Sequence, residues 1–345
     1  MTTIPVPRLR LRYVLWLAAP LLLLVMLRQV SPGQAWSVLS QLRITQILAL
    51  IAANGLVLLI LSGRWWVILR SQGYAIPYLT LAGYRLVAFG INYFTPGPQF
   101  GGEPLQVYLV QRRHRVPPAT AMASVTLDKL LELLSNFTFL AAGAICILEC
   151  QVLHGVAGSP SILLGAALLV LPVGVLAALW AGWHPLSRLL QAGFRLLPQA
   201  WLERKGWLAA YHDISQAIRE SENQTTRLCR ERPLAVVQAL LFSALGWAAM
   251  IGEYWLALHF LGQRLTLAQT ISALTAARIA FLTPLPGGLG ALEASQVLAM
   301  GALGINPAVG ISLSLLIRVR DVALGGLGLW WGGLKSIVAL REKLG

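Results

Sequence analysis

Residues 93–104 read Tyr93-Phe94-Thr95-Pro96-Gly97-Pro98-Gln99-Phe100-Gly101-Gly102-Glu103-Pro104, a knot of proline and glycine set in the middle of an apolar stretch that runs from Ile76 to Val110. Proline ends a helix and glycine admits the turns that follow, so the stretch divides into two helical pieces. Each piece is shorter than the roughly 20 residues that cross a bilayer. Irregular backbone at membrane depth has to line a cavity or lie against protein, and two short helices meeting at such a break are expected to form a re-entrant hairpin.

A second apolar stretch, Leu267 to Leu303, is broken in the same manner at Thr283-Pro284-Leu285-Pro286-Gly287-Gly288-Leu289-Gly290. The two stretches can be aligned. Thr95-Pro96, Gly101-Gly102, Glu103, Pro118-Ala119, Lys129 and Glu132 correspond to Thr283-Pro284, Gly287-Gly288, Glu293, Pro307-Ala308, Arg318 and Asp321. Glu103 precedes Lys129 by 26 positions and Glu293 precedes Arg318 by 25, so the spacing persists through a hairpin and the span after it. Residues 76–148 and 266–334 are thus read as two repeat units, each a hairpin plus a span.

Around these units the chain is apolar throughout. Its 345 residues are 57% hydrophobic and 12% charged, with a mean hydropathy of +0.69. Soluble proteins carry roughly 25% charged residues, so this composition describes an integral membrane protein. The runs 44–63, 150–187, 233–252 and 294–317 hold no Asp, Glu, Lys or Arg. Spans are expected at Tyr13–Leu27, where the run after Arg8, Arg10 and Arg12 reads as an uncleaved first span, at Ile44–Gly63, and at about 120–148, 161–182, 234–261 and 309–334. Residues 184–232 mix charge with apolar residues at helical spacing, among them Leu189, Leu190, Phe194, Leu197, Trp201 and Leu208, and are expected to form an amphipathic cytoplasmic segment. The fold expected is all-α: a single polytopic transmembrane domain over residues 1–345, with about six full spans and two re-entrant helical hairpins.

The 27 basic and 13 acidic residues give a net charge of +14, and position explains the excess. The amino terminus, the cluster Arg112-Arg113-His114-Arg115, the 184–232 segment and the tail with Lys335, Arg341 and Lys343 are basic, whereas the loop 149–160 has no Lys or Arg. The positive-inside rule places both termini in the cytoplasm and opposes the two hairpins, one entering from each face, as in an inverted repeat. The charge therefore reports topology and attraction to anionic lipid, not nucleic-acid binding.

The segment Thr95-Pro96 to Gly102-Glu103-Pro104 with Tyr108-Leu109 and the basic cluster, and the segment Pro284 to Gly290 with Glu293, resemble the paired signatures of the lysylphosphatidylglycerol synthase transmembrane, or flippase-like, family over about residues 10–335. The resemblance implies a bacterial or archaeal inner-membrane protein that handles anionic phospholipid, polyprenyl phosphate or hopanoid-type lipid. The chain stops at Gly345, leaving no room for the soluble aminoacyl-transfer domain of the bifunctional synthases, so only lipid translocation is expected to carry over.

Eleven charged residues fall inside apolar segments: Arg85, Lys129, Arg278, Arg318 and Arg320, with Glu103, Asp128, Glu132, Glu253, Glu293 and Asp321. Each costs about 2.5–3.5 kcal/mol at the bilayer centre unless it is paired or wet, so they imply a polar interior. At about 100° per residue, Ser124, Asp128, Lys129, Glu132, Ser135 and Asn136 share an arc of about 140°, and Ser314, Arg318, Asp321 and Gly325 one of about 60°. Lys129 with Glu132 and Arg318 with Asp321 either neutralise one another at i,i+3 or serve a substrate. Gly101 and Gly102, like Gly287 and Gly288, precede helix starts whose amides suit a phosphate, with Arg85 and Arg278 one to three turns before the breaks. Glu103 and Glu293 either cap those starts or hold the arginines between substrates. These twelve positions, Arg85, Gly101, Gly102, Glu103, Lys129, Glu132, Arg278, Gly287, Gly288, Glu293, Arg318 and Asp321, are the expected substrate-binding residues of a lipid-flipping transporter.

Enzymatic chemistry is not expected. His114, His154, His184 and His212 lie outside the spans and His259 near a span end, and no nucleophile–base cluster is visible. Cys146, Cys150 and Cys229 make no CxxC pair, and no metal or cofactor is called for. A scaffold or regulatory subunit of a lipid or envelope biosynthesis system is the alternative, with a lipid-modifying enzyme behind it; self-association is left open.

Overall fold

The computed structural model describes residues 40–95, 101–149, 207–283 and 286–341, together with residues 170, 173–174, 177–178, 181–183 and 187–188. The expected first span, most of the 161–182 span and of residues 184–206, and the break residues 96–100, 284 and 285 lie outside the described residues.

All the regular structure described is helical. The helices are α1 (Ile44–Ser71), α2 (Tyr78–Phe94), α3 (Glu103–His114), α4 (Pro118–Glu149), α5 (Trp207–Glu231), α6 (Pro233–Phe260), α7 (Leu267–Phe281), α8 (Ala291–Ala302) and α9 (Pro307–Arg341), with one 3₁₀ turn at Pro286–Gly288. Local signals set their ends. α4, α6 and α9 each begin on proline, which needs no amide partner in a first turn. Asn306 accepts from the Ala308 amide at 2.9 Å to cap α9, and Thr266 with Gln269 forms a capping box on α7. α1 and α6 end in left-handed glycines, Gly73 at φ 92° and Gly262 at φ 81°. There the amides of Tyr74 and Gln263 reach back to the carbonyls of Leu69 and Leu258.

α1, α4 (over Pro118–Ile147) and α6 are long and apolar enough to cross a membrane. At 1.5 Å per residue the 28 residues of α1 reach about 42 Å, more than the hydrocarbon core requires. The distribution of side chains is that of a chain dissolved in lipid. Ile44, Leu48, Ile51, Leu234, Val237, Leu241 and Leu245 are exposed, while Arg64, Asp128, Ser243 and Glu253 are buried. α2, α3, α7 and α8, of 17, 12, 15 and 12 residues, are too short to span.

The helices fall into two compact units. The first comprises residues 52–85 and 103–254. In it α1 runs antiparallel to α4 and α6: Trp65 Nε1 donates to Ser124 at 3.2 Å, Asn54 Nδ2 donates to Glu253 at 3.1 Å, and the Phe242 ring occupies the space a Cβ would need at Gly63. Close approach through glycine is a common device of membrane helix pairs. Trp65, Leu69, Leu81, Tyr84, Val110 and Val125 form one core cluster, and Ile68, Leu127, Leu131, Leu228 and Ala239 another. Leu228 brings α5, the described part of the amphipathic segment, onto α4.

The second unit comprises residues 86–102 and 255–345 with 1–51. α7 and α8 fold back on each other, Gln296 Nε2 donating to the Ala273 carbonyl at 3.3 Å. α9 meets α8 at Gly310, whose missing Cβ admits the Gln296 backbone, and meets α2 where Gly90 faces Gly325. Tyr93 and Phe94 are packed there against Phe281, Leu289, Val322 and Leu329.

Tyr84 and Leu81 pack on Val110, and the Tyr84 hydroxyl pairs with His114 Nε2 at 3.1 Å. Farther along α2, Ala88 closes on Gly102 so tightly that no side chain fits at that glycine.

Candidate functional site

In the first unit, four of the expected site residues come together. Glu103 in the first turn of α3 accepts from Lys129 Nζ on α4 at 3.1 Å, and Lys129 also holds Glu132 at 2.9 Å. Arg85 on α2 reaches Asp128 and Glu132, each at 3.1 Å. Beneath them lies Arg64 of α1. Its Nε meets Asp128 Oδ1 at 2.6 Å, its Nη2 meets Asp128 Oδ2 at 3.2 Å and Glu132 at 3.1 Å, and its Nη1 donates to the Ser243 hydroxyl at 3.3 Å.

Three cations thus face three carboxylates. The floor is dry, with the Arg64 and Asp128 side chains 1% and 7% exposed, whereas Glu132 at 38% opens outward. A planar guanidinium suits that floor because its fork can engage both carboxylates at once. Such pairing is what allows these charges to sit in an apolar bundle.

The second unit repeats the first contact with different residues. Arg318 on α9 bonds through Nη2 to Glu293 in the first turn of α8. Glu293 Oε2 also accepts from the Gly290 amide at 2.9 Å and so closes the helix start. Asp321 is bonded not by Arg318 but by Arg320, its sequence neighbour, at 2.8 Å. The i,i+3 pairing that is one of the two readings for Arg318 and Asp321 is not made, because Glu293 is brought in from another helix. Arg320, which lies outside the arc that Ser314, Arg318, Asp321 and Gly325 share, nevertheless belongs to the cluster, and Tyr93 lies within electrostatic reach of all four charges.

The glycines of the two units are placed differently. Gly287 and Gly288 are buried with φ of 55° and 62°, a backbone that disfavours any other residue. Gly102 is buried and its amide donates to Asn92 Oδ1 at 2.6 Å, while Gly101 is exposed. Arg278 stands in the last turn of α7, half-buried.

Arg64 is not among the expected site residues, because the charge-free run that marks the expected span stops at Gly63. The helix in fact continues to Ser71. Trp65-Trp66-Val67-Ile68-Leu69, apolar directly beyond the arginine, was the available signal that the charge is internal. Asp128, seen as an intramembrane charge but left out of the site, proves to be its main partner. Among the described residues no group of His, Cys, Asp and Glu is arranged to hold a metal ion.

Apolar side chains turned outward and charged ones gathered within define a multi-pass, membrane-embedded protein. Within that class, the profile of the lysylphosphatidylglycerol synthase TM region matches residues 13–327, and the chain belongs to that family, which represents the membrane region of those synthases and not their catalytic part. It is similar to UPF0104 membrane proteins of archaea. One from Methanothermobacter thermautotrophicus is 21% identical over 93% of this chain and 96% of its own, and one from Pyrococcus horikoshii 24% identical over 92% and 96%. A third, from Methanocaldococcus jannaschii, is 22% identical over 78% of each chain. No solved structure matches.

Proposed function

We propose that the protein moves an anionic or isoprenoid-linked lipid between leaflets, guiding the headgroup along its internal charges while the tails stay in hydrocarbon. One observation carries this reading. Glu103 with Lys129 and Glu293 with Arg318 are the same contact made twice, each between the first turn of a short helix and the long helix that follows. Inverted repeats with broken helices are how many secondary transporters place a substrate site near the midplane. In this reading α2–α3 and α7–α8 are re-entrant hairpins entering from opposite faces, and the chain lies in a bacterial or archaeal cytoplasmic membrane with both termini inside. Candidate cargoes are anionic phospholipid, polyprenyl phosphate and hopanoid-type lipid.

The internal charge balance of the first unit favours a second reading, a scaffold whose ion pairs only hold helices together. Leaflet exchange of headgroup-labelled anionic lipid in sealed proteoliposomes separates the two. The transport reading expects faster exchange than in empty vesicles, no change in lipid mass, and slower movement of zwitterionic lipid, whose ammonium would meet like charge. Exchange no faster than in empty vesicles, for every anionic and isoprenoid-phosphate lipid tried under proton or sodium gradients, would leave the scaffold.

A further inference from the structure

The equivalent cations of the two units are not equally satisfied. Lys129 holds two carboxylates, Glu103 and Glu132. Arg318, only 1% exposed, holds Glu293 through Nη2, but its Nη1 has no hydrogen-bond partner among the described residues. A buried guanidinium N–H left unmet is costly, and a water, an ion or a functional role is what accounts for such a group in a native protein.

The surroundings suit an anion. Through Glu293 the guanidinium is fixed at the start of α8, a helix of 12 residues whose N-cap, Gly290, provides no side chain to cap the first-turn amides. Those amides and the positive end of the helix dipole favour negative charge. The Gly290 amide is taken by Glu293, as that of Gly102 is by Asn92, so the amides on offer are those of the turn that follows.

Resting on the transport reading, we propose that the repeats receive the headgroup unequally: Arg318 with the start of α8 is the phosphate-accepting site of this conformation, while Glu103 and Glu132 already occupy the equivalent place on Lys129. A phosphodiester oxygen would accept from Arg318 Nη1 and from the α8 amides. Glu293 beside it sets the preferred charge, because a single negative charge is tolerated next to a carboxylate better than two. Loading at Lys129 requires its carboxylates to be displaced, so the two sites fill in different conformations.

Calorimetric titration of the full chain in detergent micelles with dihexanoyl phosphatidylglycerol, a soluble monoanionic phosphodiester, tests this. One lipid per chain is expected. Arg318→Lys keeps the charge but loses the second nitrogen of the planar fork, which cannot then hold Glu293 and a phosphate in the same geometry, and should weaken binding about tenfold, the scale of one charge-assisted hydrogen bond. Glu103→Gln should add a second bound lipid. If Arg318→Lys does not fold, as judged by thermal melting, Glu293→Gln takes its place and should tighten binding. Two lipids on the native chain, none at all, an unchanged affinity in Arg318→Lys, no tightening in Glu293→Gln, or a Glu103→Gln chain that stays at one would overturn the proposal. Binding of one lipid without leaflet exchange defeats transport but not the unequal sites; leaflet exchange with two lipids bound defeats the unequal sites alone.

Discussion

Glu103 of α3 meets Lys129 of α4 at 3.1 Å, and a contact of the same kind is made farther along the chain by Glu293 of α8 and Arg318 of α9. A carboxylate in the first turn of a short helix thus meets a cation within the following long one in both units. If the contact serves to handle a headgroup, Lys129→Ala and Arg318→Ala should each reduce leaflet exchange by at least about tenfold, the scale of one lost charge-assisted contact. Both proteins should still insert and elute as single species. Full transport by both variants, or loss explained by misfolding alone, favours the structural reading.

The Arg64–Asp128 pair is a different case, since both side chains are buried and one anchors the other. Removing one partner of a buried pair costs about 3–5 kcal/mol, because the survivor is left uncompensated. Arg64→Ala and Asp128→Ala should each destabilise on that scale in reversible denaturation, whereas Arg64→Met with Asp128→Leu should recover much of the loss. A cost below about 1 kcal/mol for either single variant would show that lipid or water compensates the survivor and that the floor is not dry.

At Gly63 the Phe242 ring sits where a Cβ would be. Gly63→Ala should therefore force α1 from α6 and cost about 1–3 kcal/mol, the usual scale of overpacking. Phe242→Leu in the same chain should restore part of it. An unaltered melting temperature in Gly63→Ala would mean that the helices do not approach this closely.

These contacts mark where sequence reading succeeds and stops. The Pro and Gly breaks locate the helices flanking each break, and the Glu-to-cation spacing puts a carboxylate and a cation at matching positions in both stretches without showing that the two meet. These readings rest on local signals: proline lacks an amide, glycine admits left-handed backbone, and charge is costly in lipid. The floor formed by Arg64 and Asp128 was not legible, since nothing in a single sequence brings α1 beside α4, and a charge neutralised by a distant helix looks like the end of a span. The same limit hid the exchange of partners at Asp321, where Arg320 replaced Arg318 once Glu293 became available from α8.

His114 provides a test that depends on pH. Burial, and then the neighbouring positive charge of Arg113, holds its imidazole below the ordinary value of 6.5. The folded protein therefore binds this proton less readily than the unfolded chain. Its contribution is complete above the unfolded value near 6.5 and is lost as pH falls through the lowered folded one. Between pH 8 and pH 5 the native chain should lose more stability than His114→Gln, which cannot titrate. Equal losses would mean that the Tyr84–His114 contact does not depend on a neutral ring.

The proposal of two opposed hairpins requires a definite topology. Because α1 runs antiparallel to α4 and α6, the ends at Ser71, Pro118 and Pro233 share a side, and the neighbouring Arg70, Arg112, Arg113, Arg115, Arg230 and Arg232 are basic. The positive-inside rule predicts that this side is cytoplasmic. In a chain with Cys146, Cys150 and Cys229 replaced, single cysteines at Gly155 and Gln263 should react with an impermeant maleimide in intact cells. Cysteines at Gln191 and Gln224 should react only after the membrane is opened. Gln263 follows α6 and precedes the second hairpin, so its exposure outside is what makes that hairpin enter from the face opposite to the first. Labelling of Gln191 and Gln224 from outside in intact cells would reverse the sides, remove the basis for an inverted repeat and leave the two glutamate–cation contacts as a structural duplication only.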